Sequence, residues 1–169
     1  MQDKSRNSRQ ISQPFIFHGI NSHINSSNIM GAVNPPPYTP FQHGDVCTLA
    51  PDGGGVITAL GREARIRPWE RSETQKWRIE EFDDRCGFRN LSTGRLLSLH
   101  IFGNLSASVY ELHDWELFIL ESVEGGFRFK VSNYWLQGQG VLVRPSLSDY
   151  LQFSGQSTRY SPINLTRVD

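Results

Sequence analysis

The stretch Ile66-Arg67-Pro68-Trp69-Glu70-Arg71-Ser72-Glu73-Thr74-Gln75-Lys76-Trp77-Arg78-Ile79 closes one short alternating run and breaks it with a proline and a polar loop. It opens the next run on a tryptophan two residues after a glutamine. Alternating apolar and polar residues mark a half-buried strand, and proline with polar clusters marks the turns between strands. Working outward, the same texture recurs. His113-Asp114-Trp115-Glu116-Leu117 follows a charged turn 38 residues after Trp77's own and predicts a strand opening on Trp115. Ser161-Pro162-Ile163-Asn164-Leu165 fits as a third copy, with Ile163 in the tryptophan's place. Upstream, Cys47-Thr48-Leu49, Cys86-Gly87-Phe88 and Phe127-Arg128-Phe129 match one another at steps of 39 and 41 residues. No segment sustains apolar residues at helical spacing. Short strands at this spacing, repeated three times over residues 44–168, predict an all-β sandwich or barrel.

Composition bounds what such a domain can do. Among 169 residues, 17 Lys and Arg balance 17 Asp and Glu, and neutrality argues against nucleic acid, whose phosphates need a basic footprint. No apolar run approaches the roughly 18 residues needed to cross a bilayer, so no membrane partner is expected. The first residues lack the apolar core of a secretory signal, which makes a cytoplasmic location the expectation. Two cysteines cannot build a disulfide framework, and His18 and His23 lie in a polar segment, so neither metal nor cofactor is expected. There is no Gly-x-Ser-x-Gly, P-loop or His-Glu-x-x-His. Glu80-Glu81 and Asp83-Asp84 sit side by side, whereas paired-carboxylate chemistry needs two acids across a cleft. The protein is therefore not expected to be an enzyme. Residues 1–43 read as a flexible Asn- and Ser-rich tail ending in the stiff Pro35–Pro40 connector, and residues 44–169 as the folded domain. Residues 1–34 space single apolar side chains between Asn, Ser and Gly, a pattern suited to docking on a protein partner.

Three four-stranded units, Gln75-x-Trp77 with Pro68-Trp69 before its loop, and the opening Phe88-Arg89-Asn90-Leu91-Ser92-Thr93-Gly94-Arg95-Leu96-Leu97 together resemble the ricin-B-type β-trefoil lectins, in particular those of fungi. The resemblance implies a closed barrel with a hairpin cap. Trp77 and Trp115 would be inward wedges, Gln75 and His113 would satisfy backbone groups in the turns, and Cys47 and Cys86 would be two buried free thiols at equivalent positions. It also implies binding of carbohydrate, of galactose or GalNAc type or another glycan. In that family each unit offers an Asp after its second strand, an aromatic platform on its third, and an Asn or Gln before the Gln-x-Trp. Here unit one has Thr58-Ala59 for the Asp, Arg67 at the aromatic position with Trp69 two residues on, and Glu70 and Thr74 for the amides. Unit two has Ser98 for the Asp. Unit three has Phe153 at the aromatic position and Gln156 at the amide position, with Trp135 and Gln137 on the preceding hairpin and Asp149 close in sequence. The carbohydrate-binding residues expected are therefore Trp135, Gln137, Phe153 and Gln156, then Trp69. The same fold could instead serve as a protein-interaction or signalling module, or as a β-trefoil protease inhibitor presenting Pro51–Gly55 or Gly138–Gly140.

Overall fold

The computed structural model describes residues 41–82, 84–100, 103–131, 140–143, 149–154 and 160–168. Within them the alternating runs are strands: β1 (Val46–Pro51), β2 (Val56–Leu60), β3 (Glu63–Arg67), β4 (Trp77–Phe82), β5 (Arg85–Asn90) and β6 (Leu96–Leu99). β7 (Leu105–Val109), β8 (Phe118–Val123), β9 (Gly126–Val131), β10 (Gly140–Val143), β11 (Gln152–Ser154) and β12 (Ile163–Arg167) follow, and a single 3₁₀ turn, Glu73–Gln75, precedes β4.

Pairing divides these strands by role. β1 pairs with β4, β4 with β5, β5 with β8, β8 with β9, β9 with β12, and β12 returns to β1, all antiparallel. This ring has no free edge, which removes the usual template for aggregation. The remaining strands form three hairpins, β2–β3, β6–β7 and β10–β11. A closed barrel capped by three hairpins, one from each unit, is a β-trefoil.

The inward faces fill the barrel with Trp77, Phe88, Phe118, Phe129, Leu49 and Ile163, each with at most 1 % of its surface exposed. Phe88 and Phe129 stack with ring centres 5.2 Å apart, and Phe118 tilts against both. Burying a large apolar side chain contributes about 1.5–3 kcal/mol, so this aromatic layer is a principal source of barrel stability. Gly126, with φ 141°, lets β9 approach β12: a Cβ there would lie 2.6 Å from the Ile163 carbonyl oxygen.

The second unit departs from its sequence reading. Trp115 does not open a strand; it lies in the turn before β8, half-buried against the outside of the core. Pairing shows the reason. Trp77 lies opposite Cys47, Phe118 opposite Cys86, and Ile163 opposite Phe127. Phe118 is thus the inward wedge of unit two, and Ile163 that of unit three, as its spacing predicted. His113 keeps an exposed side chain 3.6 Å from the Glu111 carboxylate, and its assigned role falls to Glu116, described below. Cys47 and Cys86 are both buried and unbridged. Burial pushes the Cys47 thiol up to about 12. Phe41, which the sequence reading placed in the linker, packs against the core with the Arg167 guanidinium over its ring.

Candidate functional site

Unit one presents an exposed aromatic side chain. β3 ends at Arg67, and Pro68 turns the chain outward. Trp69 follows with 42 % of its surface exposed. Its backbone is held by one buried amide: Gln75 Nε2 donates to the Pro68 carbonyl at 2.7 Å, and Gln75 Oε1 accepts from the Glu70 N–H at 2.8 Å. Gln75 is fixed in turn, since Nε2 also donates to Thr58 Oγ1 at 3.1 Å and its surface is 1 % exposed. The 3₁₀ turn that carries Gln75 is capped by Ser72, whose side chain accepts from the Thr74 N–H. The loop between them bends through Arg71, which holds φ 58°. Trp69 is therefore an exposed ring on a backbone clamped from both sides, in a loop that also carries Glu70, Arg71 and a Lys76–Glu73 ion pair at 2.8 Å. A flat, exposed aromatic ring is the kind of surface that packs on the C–H face of a sugar.

Unit two offers a second exposed aromatic that the sequence reading passed over. Tyr110 directly follows β7 and has 57 % of its surface exposed. Arg95 lies over its ring at 5.3 Å and donates to its hydroxyl at 3.1 Å. One face of Tyr110 is thus already occupied by a guanidinium. Its place just after the second strand of a hairpin, matching Trp69 in unit one, was the available signal.

The positions expected to carry an Asp face inward. Thr58 and Ser98 are both buried. Thr58 bonds Gln75, and Ser98 donates to Glu116 Oε1 at 2.6 Å while Glu116 Oε2 accepts from the His113 N–H at 3.0 Å. Glu116 is to Ser98 what Gln75 is to Thr58. These hydroxyls serve the fold and are not presented to a ligand.

In unit three, Trp135, Gln137 and Gln156 lie outside the described residues. Phe153 is on β11 opposite Leu142, in the register that Ile66 takes opposite Ile57 in the first hairpin. Asp149 belongs to unit one's surroundings. It pairs with Arg65 at 2.8 Å and Arg67 at 3.4 Å, and its carbonyl accepts from the Ile66 N–H. The Arg65 guanidinium holds its carboxyl below the usual carboxylate range. Among the described residues there is no group of three or more His, Cys, Asp or Glu able to hold a metal ion.

This architecture is a β-trefoil, a fold it shares with a solved ricin B-like lectin. The solved structures it is similar to include an endo-β-galactosidase from Clostridium perfringens that releases GlcNAcα1-4Gal, with TM-score 0.64 and 16 % identity over 74 % of this chain and 33 % of that one. They also include the Macrolepiota procera ricin B-like lectin in complex with lactose, with TM-score 0.62 and 16 % identity over 77 % of this chain and 100 % of that one. SeviL bound to the asialo-GM1 saccharide matches with TM-score 0.59 and 15 % identity over 75 % and 99 % of the two chains. The chain spans one third of the length of the galactosidase. No known family profile matches the sequence, and no curated protein sequence matches it. At these identities the likeness is one of fold.

Proposed function

We propose that this β-trefoil is a non-catalytic carbohydrate-binding module, and that Trp69 is the platform of one of its sites. The observation that carries this reading is the exposed Trp69 ring clamped through Pro68 and Glu70 by the buried Gln75 amide. A large apolar side chain with 42 % of its surface left exposed, on a loop whose backbone groups are satisfied, is pre-organised for a ligand. The lactose and asialo-GM1 saccharide complexes of the lectins that share the fold support a glycan as the partner, with galactose- or GalNAc-type sugars first in order. Trp135, Gln137, Phe153 and Gln156 are proposed as a second site in unit three, Phe153 being a residue of β11. The test is a glycan array probed with the full chain, with Trp69→Ala and with Trp135→Ala. Each substitution is expected to lower the signal on the glycans bound, and the pair to abolish it. Silence of the unaltered chain on every glycan, or an unchanged profile for both variants, would overturn the reading.

A further inference from the structure

β3 and β7 meet at one register pair, Glu63 opposite Ser106, with the Ala107 N–H donating to the Arg62 carbonyl beside it. Against these two strands lies a cleft of about 690 Å³, lined by Arg62, Glu63, Arg65, Asn104, Ser106 and Tyr150 among others. That size lies within the range of small-molecule sites, about 300–1,000 Å³. Its acids are already engaged. The Glu63 carboxylate accepts from Arg65 Nε at 2.9 Å, and Arg65 Nη1 continues to Asp149 at 2.8 Å. The Ser106 and Ser108 hydroxyls bond each other at 3.2 Å. Asn104 Oδ1 accepts from Gln152 Nε2 at 3.2 Å.

The groups with no partner among the described residues are donors: the Arg62 guanidinium and the Asn104 side-chain NH₂. Both stand on fixed backbone. The Arg62 carbonyl accepts from the Ala107 N–H at 3.0 Å, and the Asn104 carbonyl accepts from the His100 N–H at 2.7 Å. A concave surface with neutralised acids and spare donors selects a ligand rich in acceptor oxygens and negatively charged. The planar guanidinium fork fits a carboxylate in two parallel hydrogen bonds. The serine pair and the amide beside it are the groups that read hydroxyls, and the cleft is far larger than a bare anion needs.

We propose that the β3–β7 cleft is a further ligand site, separate from the Trp69 loop, for a carboxylate-bearing sugar of the uronic acid type. Amide chemical shifts of the full chain, titrated with glucuronate, glucose and acetate at low ionic strength, test this. Glucuronate is expected to shift the amides of Arg62, Asn104 and Ser106 saturably and to bind at least tenfold more tightly than glucose or acetate. Arg62→Gln is expected to weaken glucuronate at least tenfold, whereas Trp69→Ala leaves it unchanged. Acetate binding as tightly as glucuronate would reduce the site to a general anion contact and overturn the sugar. Glucose binding as tightly would overturn the role of the carboxylate. An unaffected Arg62→Gln variant, an equal loss in Trp69→Ala, or absence of saturable shifts in the cleft would each overturn the site. Because Trp69→Ala is the readout of the other proposal, the two can fail independently.

Discussion

Gln75 shows how one side chain can serve both fold and site. Its amide meets Pro68 and Glu70 on the surface loop and Thr58 in the interior. A typical hydrogen bond contributes about 0.5–1.5 kcal/mol net, and an orphaned buried partner costs more. Gln75→Ala is therefore expected to lower stability by about 2–4 kcal/mol in urea unfolding and to strip the Glu70 amide of hydrogen-exchange protection. An unchanged exchange rate at Glu70 would show that the clamp does not hold the Trp69 loop. Glu116 performs the same task in unit two with a carboxylate, 3 % exposed, accepting from Ser98 and from His113. Glu116→Gln gives that position an amide able to donate to Ser98 and accept from the His113 N–H, as Gln75 does with Thr58 and Glu70. Its unfolding midpoint is expected to match or exceed that of the unaltered chain, because a buried charge is removed while both bonds survive. Glu116→Ala, lacking both, is expected to lose about 1–3 kcal/mol.

At the scale of the element, the question is which residue anchors β8. Phe118 lies opposite Cys86 with no exposed surface, whereas Trp115 sits in the preceding turn, half-buried. Phe118→Ala is expected to cost about 3–5 kcal/mol, the range for removing a buried aromatic, and Trp115→Ala less than half of that. Equal losses in thermal unfolding would overturn the assignment. The same pair explains what the sequence made legible. Strand texture, the threefold repeat and the inward place of Trp77 and Ile163 were readable because apolar alternation follows directly from which face is buried. The register of unit two was not, because residue identity misled: a tryptophan two residues after His113 looks more like Gln-x-Trp than Glu116-Leu117-Phe118 does. Only the hydrogen bond to Ser98 reveals that a glutamate has taken the amide's place. The site was legible in part for a related reason. Thr58 and Ser98, expected just after a strand, lie within β2 and β6, and whether a hydroxyl there meets a ligand or a buried side chain depends on a loop about 18 residues away. Trp69 could be read as exposed because it follows a proline among charges, whereas Tyr110 continues the alternating run of β7 and has no proline before it to mark the turn outward.

For the whole molecule, what matters is that the barrel is closed by its first and last strands. β1 and β12 pair over five positions, from Cys47 opposite Arg167 to Pro51 opposite Ile163, and Arg167 also bonds Asp45 at the start of the domain. Cys47 lies on that seam, also opposite Trp77 on β4, with no exposed surface. Cys86 lies at the equivalent place on β5, opposite Phe118, and is 7 % exposed. The two thiols therefore report on two of the barrel's internal junctions. With its thiol pushed up to about 12 by burial, Cys47 stays protonated at pH 8, and the thiolate is the reactive form. Neither burial nor the depressed thiolate fraction survives once β1 leaves its neighbours, so modification has to pass through opening of the ring. Because removing either seam strand breaks the closed ring of paired strands, opening is expected to be global. Labelling by an aromatic disulfide reagent should be slow for both cysteines in the folded chain, with Cys47 and Cys86 reacting at rates that fall together along the urea-dependence of unfolding. Rapid reaction of Cys47 alone, with no dependence on urea, would mean that the β1–β12 seam opens locally and that the ends of the domain are not what closes it.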